Sequence, residues 1–379
     1  MLHISRLHDE HAFNTLARIA PVLAGAQIPQ IALLIDHSAT ARISPPAWTA
    51  TFGRDVRTFR CRGGLSLLSQ APALRSELRS LFGERAIHAA HLHGTIACLL
   101  AARALPRHPL PVRVVCSMPS REVASRWVRA AAGPLILNEL RSFQSYAAVA
   151  DLPADAHWLS RMLDSSAEVL PGAVSEHFFA TERSEDDRPT VIVDGDSSQA
   201  IAVIARLSVL LNGREMRVQF RWVGGADAEA KATLHAAHIE ALPAGDDAEL
   251  ARRLAQAWIF VHFGAQTDGA APQAMASGLP CLLSDTPWHR ELLRHAHHGF
   301  VCTSERDFVE KLVLLLRDRG ERERMGRMAR AEAVQRFSAR EFETFILRAY
   351  GFSRMAIPPA QSVPPAPANR ERHAWNFAN

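Results

Sequence analysis

Short apolar runs alternate with amphipathic stretches along the whole chain, and the alternation breaks once and then restarts. No other feature restricts the fold as strongly. A run such as IALLI at 31–35 has no polar alternate position. It must therefore be covered on both faces, as strands of a parallel sheet are when helices pack on each side. The pattern predicts strands at 2–6, 31–35, 56–59, 87–92, 112–117 and 167–170. Helices are predicted up to about 26 and over 65–82, 95–104 and 121–131. The stretch 171–189, PGAVSEHFFATERSEDDRP, mixes proline, glycine and charge and reads as a crossover. Strands then follow at 190–193, 218–223, 239–242, 259–263 and 281–283. Helices are expected at 198–211, 226–237, 248–257, 306–317, 321–336 and 339–350. The expected fold class is α/β: two Rossmann-like, doubly wound parallel-sheet domains facing a cleft. The expected units are 1–171 and 189–337, a closing segment at 338–355, and a tail at 356–379. Proline in that tail forbids helix and central strand, so it is expected to be disordered.

Composition removes several function classes. With 379 residues there is material for two cores. Lys and Arg number 43 against 39 Asp and Glu, a net charge of only +4. No dense basic run alternates with aromatics, so nucleic acid is not an expected partner. The five cysteines, Cys61, Cys98, Cys116, Cys281 and Cys302, are odd in number and widely spaced. They read as buried small hydrophobes in a reducing compartment. The first residues lack the apolar core of a signal peptide, and no window approaches the ~18 apolar residues of a membrane span. A cytoplasmic location is expected. No G-x-G-x-x-G follows an early strand, which disfavours a dinucleotide dehydrogenase.

The most informative stretch is 267–301, TDGAAPQAMASGLPCLLSDTPWHRELLRHAHHGFV. It resembles the donor-binding segment of the family 4, or group 1, nucleotide-sugar glycosyltransferases. Ala274, Met275, Ala276, Gly278, Pro280, Ser284, Glu291 and Gly299 fall in step with that pattern. Four further stretches resemble the family in order: HLHG at 91–94, VLPGAVSEHFF at 169–179, WVGGADAEAKATL at 222–234 and DDAELARRLAQAWIFVHFG at 246–264. The resemblance covers about 87–350 and implies a GT-B arrangement.

In that arrangement 1–171 would be the acceptor domain, 189–337 the donor domain, and 338–355 a helix returning toward the first. The implied activity moves a sugar from a UDP- or GDP-linked donor to a glycan or lipid-linked acceptor, with retention of configuration. Cell-envelope or exopolysaccharide synthesis is the implied setting, with a peripheral inner-membrane contact compatible with it. No cofactor and no metal are implied. The candidate catalytic residues are Asp268, Gln273 and His93. The candidate donor-binding residues are Gly195, Gly224, Gly225, Gly269, Ala270, Gln273 and Glu291.

The departures from the family are as informative. The family carries two glutamates a fixed distance apart; here the second is Gln273, the first falls on Ala265, and the nearest acid is Asp268. The family's diphosphate-binding arginine and lysine are also missing. Asp196 stands in the arginine's place after Gly195, and Arg206 is the next cation. The glycine-rich loop after the first strand is replaced by RLHDEH, and Met118 or Pro119 stands where the family has a histidine. These losses support an alternative reading: a catalytically degenerate GT-B protein that partners an active transferase or binds a glycan.

Bland readings compete for individual residues. His91 and His93 alternate on a strand and read equally as hydrogen-bonded structural histidines. His88 falls on the opposite face of the same strand, so a zinc site built from these three is disfavoured. His295, His297 and His298 suit a helix end. Arg121, Arg126, Arg129 and Trp127 read as a solvated helix face before a lipid contact.

Overall fold

A computed structural model describes residues 1–7, 10–36, 46–52, 55–61, 67–105, 112–117, 134–136, 138–141, 143, 145–150, 153–163, 165–170, 172–195, 198–212, 216–223, 227–243, 245–264 and 270–352. The expected helix at 121–131 and the tail from 356 lie outside the described residues.

The chain forms two parallel sheets. The first holds β1 (Leu2–Arg6), β2 (Ile31–Asp36), β3 (Val56–Arg60), β4 (Ala89–His93), β5 (Arg113–Ser117), β6 (Ser145–Ala150) and β7 (Ala167–Val169). Their spatial order is β3-β2-β1-β4-β5-β6-β7. The second holds β8 (Thr190–Gly195), β9 (Gln219–Trp222), β10 (Glu240–Ala241), β11 (Ile259–Phe263), β12 (Cys281–Ser284) and β13 (Gly299–Cys302), in the order β10-β9-β8-β11-β12-β13. Every pair of neighbouring strands in both sheets is parallel. Each sheet therefore grows outward in both directions from its first strand. The order reverses between β1 and β4 in one sheet and between β8 and β11 in the other, where open α/β sheets leave a ligand crevice. The two-sheet α/β architecture expected from the sequence is the one observed.

Two strands were not expected. Ser145–Ala150 reads SYAAVA, whose alanines carry little strand signal, and Gly299–Cys302 is only four residues long. Strand β4 also runs on to His93, past the expected end at Leu92.

Both faces of each sheet are covered. In the second sheet Val191, Val193, Val261 and Phe263 face one core, while Ile192, Phe260, Cys281 and Leu283 face the other. Helices begin at local stops. Asp246, Ser304 and Asp318 each accept a backbone N–H three residues on, satisfying one of the donors a helix start leaves open.

The last two helices part company at Ser338. Helix Arg319–Phe337 packs on the second sheet through Ala329, Ala333 and Phe337. Helix Ala339–Ala349, capped by the Ser338 hydroxyl, instead buries Phe342, Ile346 and Leu347 with Met1, Ile19, Ala89, Val115 and Val149 of the first half. Arg113 donates to the carbonyl of Ala349 at 2.5 Å and fastens that helix end to β5. The outgoing connection is pinned at the same place, since Val174 N–H donates to the Phe337 carbonyl at 2.9 Å. The four cysteines in strands and helices are buried and Cys61 is half-buried; all five are free thiols.

Candidate active site

The crevice of the second sheet is built from the C-terminal ends of β8, β11 and β12. β8 ends in Asp194 and Gly195, and helix Ser198–Asn212 begins just beyond. A side chain at 195 has no room: a Cβ there would stand 2.8 Å from the Ala200 Cβ and 2.9 Å from the Phe263 carbonyl. The glycine thus lets the helix start close against the sheet at the reversal point. This packing role accounts for Gly195 without any ligand.

β11 ends in His262, Phe263 and Gly264. Gly264 takes φ +125°, a value that favours glycine. The Ser284 hydroxyl at the end of β12 donates to the Gly264 carbonyl at 2.9 Å and lies 3.2 Å from its N–H as acceptor. This clasp fixes where the following loop leaves the sheet.

His262 is the unexpected member. The sheet register sets it between Asp194 and Leu283, and it is buried. The Asp194 carboxylate lies 3.3 Å from Nδ1, but off the line a hydrogen bond needs. Neither ring nitrogen has a hydrogen-bond partner among the described residues. The His289 ring meets it edge-on, with centroids 5.1 Å apart. His289 is itself held by its Nδ1–H donating to the Ser284 carbonyl at 2.6 Å. A buried imidazole with open nitrogens at a strand end is poised for a ligand's polar group. In the sequence one histidine inside IFVHFG reads as core; only its place at the end of the strand hinted otherwise.

The other candidates divide. Ala270 opens helix Ala270–Ala276, and Gln273 lies half-buried within it. Glu291 is exposed on helix Pro287–Leu292, which leaves the end of β12. These three stand with Gly195 on the second sheet's side. Gly224, Gly225, Asp268 and Gly269 lie outside the described residues, as does Asp196. Arg206 does not replace the missing diphosphate cations. It sits in the middle of its helix, exposed and ion-paired with Glu305. Arg290, beside the end of β12, is held by both carboxylate oxygens of Asp285; the hydrogen bonds and charge of that pair lower the Asp285 pKa and raise that of Arg290.

His93 belongs to the other sheet. It ends β4, next to that sheet's own reversal point, and is buried. Its Nδ1 lies 3.3 Å from the Ser117 hydroxyl, and its ring lies tilted against His91, with centroids 3.6 Å apart. Of the proposed catalytic residues within the described chain, Gln273 and His93 thus stand on different sheets.

Residues 223–332 match the family model of "Glycosyl transferases group 1". The matched segment holds β11, β12, His262, Gln273 and Glu291, most of the crevice just described. No curated protein sequence matches the chain. Solved structures share the fold. A glycosyltransferase from Rickettsia africae aligns with a TM-score of 0.66 at 10% identity, over 92% of this chain and 97% of that one. HepE of Anabaena, solved with UDP and glucose, aligns at 0.61 and 14% identity, over 92% and 98%. A UDP-N-acetylglucosamine 2-epimerase aligns at 0.53 and 13%, over 93% and 96%. The GT-B arrangement is thus shared with transferases and an epimerase alike, so the shape alone does not select the reaction. Among the described residues no helix is long and apolar enough to cross a membrane.

Proposed function

We propose that the chain is a glycosyltransferase that takes a sugar from a UDP- or GDP-linked donor. The observation that carries this reading is the group 1 match over 223–332, because those residues supply β11 and β12 on one side of the crevice at the reversal point of the second sheet. In this reading the donor lies across the ends of β8, β11 and β12. Gly224 and Gly225 allow close approach of the nucleotide, Gly269 and Ala270 offer backbone N–H groups, Gln273 and Asp268 meet sugar or ribose hydroxyls, and Glu291 meets ribose. His262 supplies a polar contact on the crevice floor. The acceptor, a glycan or lipid-linked sugar, approaches from the first sheet, where His93 and Ser117 end their strands. Transfer with retention, in cell-envelope or polysaccharide synthesis on the cytoplasmic side of the membrane, completes the proposal.

The second reading, a degenerate partner or glycan-binding protein, draws on the cations. Arg206 and Arg290 are both tied to carboxylates, and Gln273 carries no charge. Titration calorimetry with UDP, GDP and their hexose conjugates, together with a nucleotide-release assay, separates the two. Two lost charge-assisted contacts, at ~1.5 kcal/mol each, predict roughly hundredfold weaker nucleotide binding than a full site gives. Asp196→Arg should then tighten it. Turnover of any nucleotide sugar supports the transferase. Absence of both binding and turnover, unchanged in Asp196→Arg, would overturn it in favour of the second reading.

A further inference from the structure

Parallel pairing sets His3 of β1 directly beside His91 of β4, and His93 follows two residues on, on the same face. That face is roofed by helices Glu10–Gly25 and Ala339–Ala349. Each of the three imidazoles is about 1% exposed. One ring nitrogen from each lies within 4.8 Å of the other two.

Hydrogen bonds fix which nitrogen of His3 is bare. The Gln30 amide donates through its NH2 to the Ala20 carbonyl at 2.8 Å, which turns its oxygen toward His3. That oxygen, 3.3 Å from His3 Nε2, can only accept, so the proton sits on Nε2. Nδ1 is then a bare lone pair, buried, with no hydrogen-bond partner among the described residues. Burial holds His3 neutral down to about pH 3, helped by the amino terminus and opposed by Gln30. Burial and the neighbouring His3 also push His91 well below its ordinary value. Neutral imidazoles are what a transition metal requires.

The network around the trio has the form of an outer ligand shell. Tyr350 Oη lies 2.6 Å from His91 Nδ1, and Ser117 Oγ bridges His91 Nε2 at 3.1 Å and His93 Nδ1 at 3.3 Å. Both nitrogens of His91 are thus engaged, so an ion would take the place of the Ser117 hydroxyl at Nε2 and leave Tyr350 to orient the ring through Nδ1. A cavity of about 10 Å³ touches His91 but neither of the other two imidazoles, and lies between Thr15, Ser117, Tyr350 and apolar side chains such as Ile19, Val149 and Ile346. A hydrogen-bonded histidine cluster without an ion would satisfy His91 but leave His3 Nδ1 buried with no partner among the described residues.

We propose that His3, His91 and His93 bind a divalent transition-metal ion, zinc being the chemical type, with a water in the fourth position. The strand pattern put His88 on the opposite face and disfavoured it as a ligand, and it is exposed. The third imidazole comes instead from the neighbouring strand. The ion would fasten β1 and β4, and through Tyr350 the helix Ala339–Ala349, into one unit. The site shares His93 and Ser117 with the acceptor side of the proposed transferase, but its test needs no substrate and so can fail or succeed apart from that reading.

The experiment uses the untagged chain, stripped with a chelator and titrated with zinc and with cobalt. About one equivalent of tightly held zinc is expected. Zinc should raise the melting temperature, and cobalt should give the visible absorption of a four-coordinate nitrogen site. His3→Gln and His93→Gln should each abolish that spectrum. Tyr350→Phe, a milder change, should weaken zinc ~10–100-fold. X-ray absorption of the zinc-loaded natural chain should show three imidazoles, which keeps the test decisive if a histidine variant fails to fold. No uptake, a cobalt spectrum that survives in both histidine variants, or a zinc shell without three imidazoles would overturn the proposal.

Discussion

At the residue scale, the crevice depends on groups whose roles differ in kind. Gly195 is there for space. Gly195→Ala should destabilise by ~1–3 kcal/mol, since the new methyl meets the Phe263 carbonyl and the Ala200 Cβ and the sheet end must shift. Urea unfolding measures this, and an unchanged midpoint would refute the packing account. His262 is there for its nitrogens. His262→Phe keeps a ring of similar bulk and should leave the unfolding midpoint nearly unchanged while weakening nucleotide binding by roughly tenfold, the worth of one hydrogen bond. Comparable losses of stability and binding would instead mark it as core. The sequence exposed these two unequally. Gly195 sat in a recognisable frame, whereas His262 looks like any apolar-strand residue until the register sets it beside Asp194. His3 was hidden for the same reason: its partners lie far along the chain and meet only through strand pairing.

Among the elements, helix Arg319–Phe337 shows how one buried charge can outweigh several exposed ones. Arg322 is 2% exposed, lies 4.0 Å over the Trp258 ring, donates to the Leu315 carbonyl at 2.9 Å and pairs with Glu185 at 3.1 Å. It ties the helix to the chain entering β8. Arg322→Met should cost near the lower end of the ~3–5 kcal/mol for breaking a buried pair, because Arg183 still holds Glu185 at 2.6 Å. Arg319→Ala on the same helix removes only a solvent-exposed pair with Glu323 and should leave the melting temperature nearly unchanged. Equal effects in thermal melts would contradict this ranking. Element placement was legible where apolar runs were long. Strands Leu2–Arg6 and Ile259–Phe263 fall where the pattern put them. It failed at SYAAVA, where alanine suits helix and strand alike, and at GFVC, too short to show a period.

Over the whole molecule, the two sheets are stitched by two strands of backbone, pinned together where Val174 meets Phe337. Phe342 is 1% exposed against the first sheet although it lies near the end of the described chain. Phe342→Ala should therefore cost ~3–5 kcal/mol and loosen the first half selectively. Hydrogen exchange would show faster opening in β1, β4 and β5 with β8, β11 and β12 unchanged; uniform acceleration would refute it. The shared closing helix also carries a consequence for biosynthesis. A ribosome releases the first seven strands long before it reaches Ser338, and until then Ala89, Val115 and Val149 have only helix Glu10–Gly25, through Ile19, as a roof and lack the side chains of Phe342, Ile346 and Leu347. The half made first thus finishes last, and a nascent chain halted before 338 should display a greasy surface that holdase chaperones can grip. Adding the final helix as a separate peptide should release them.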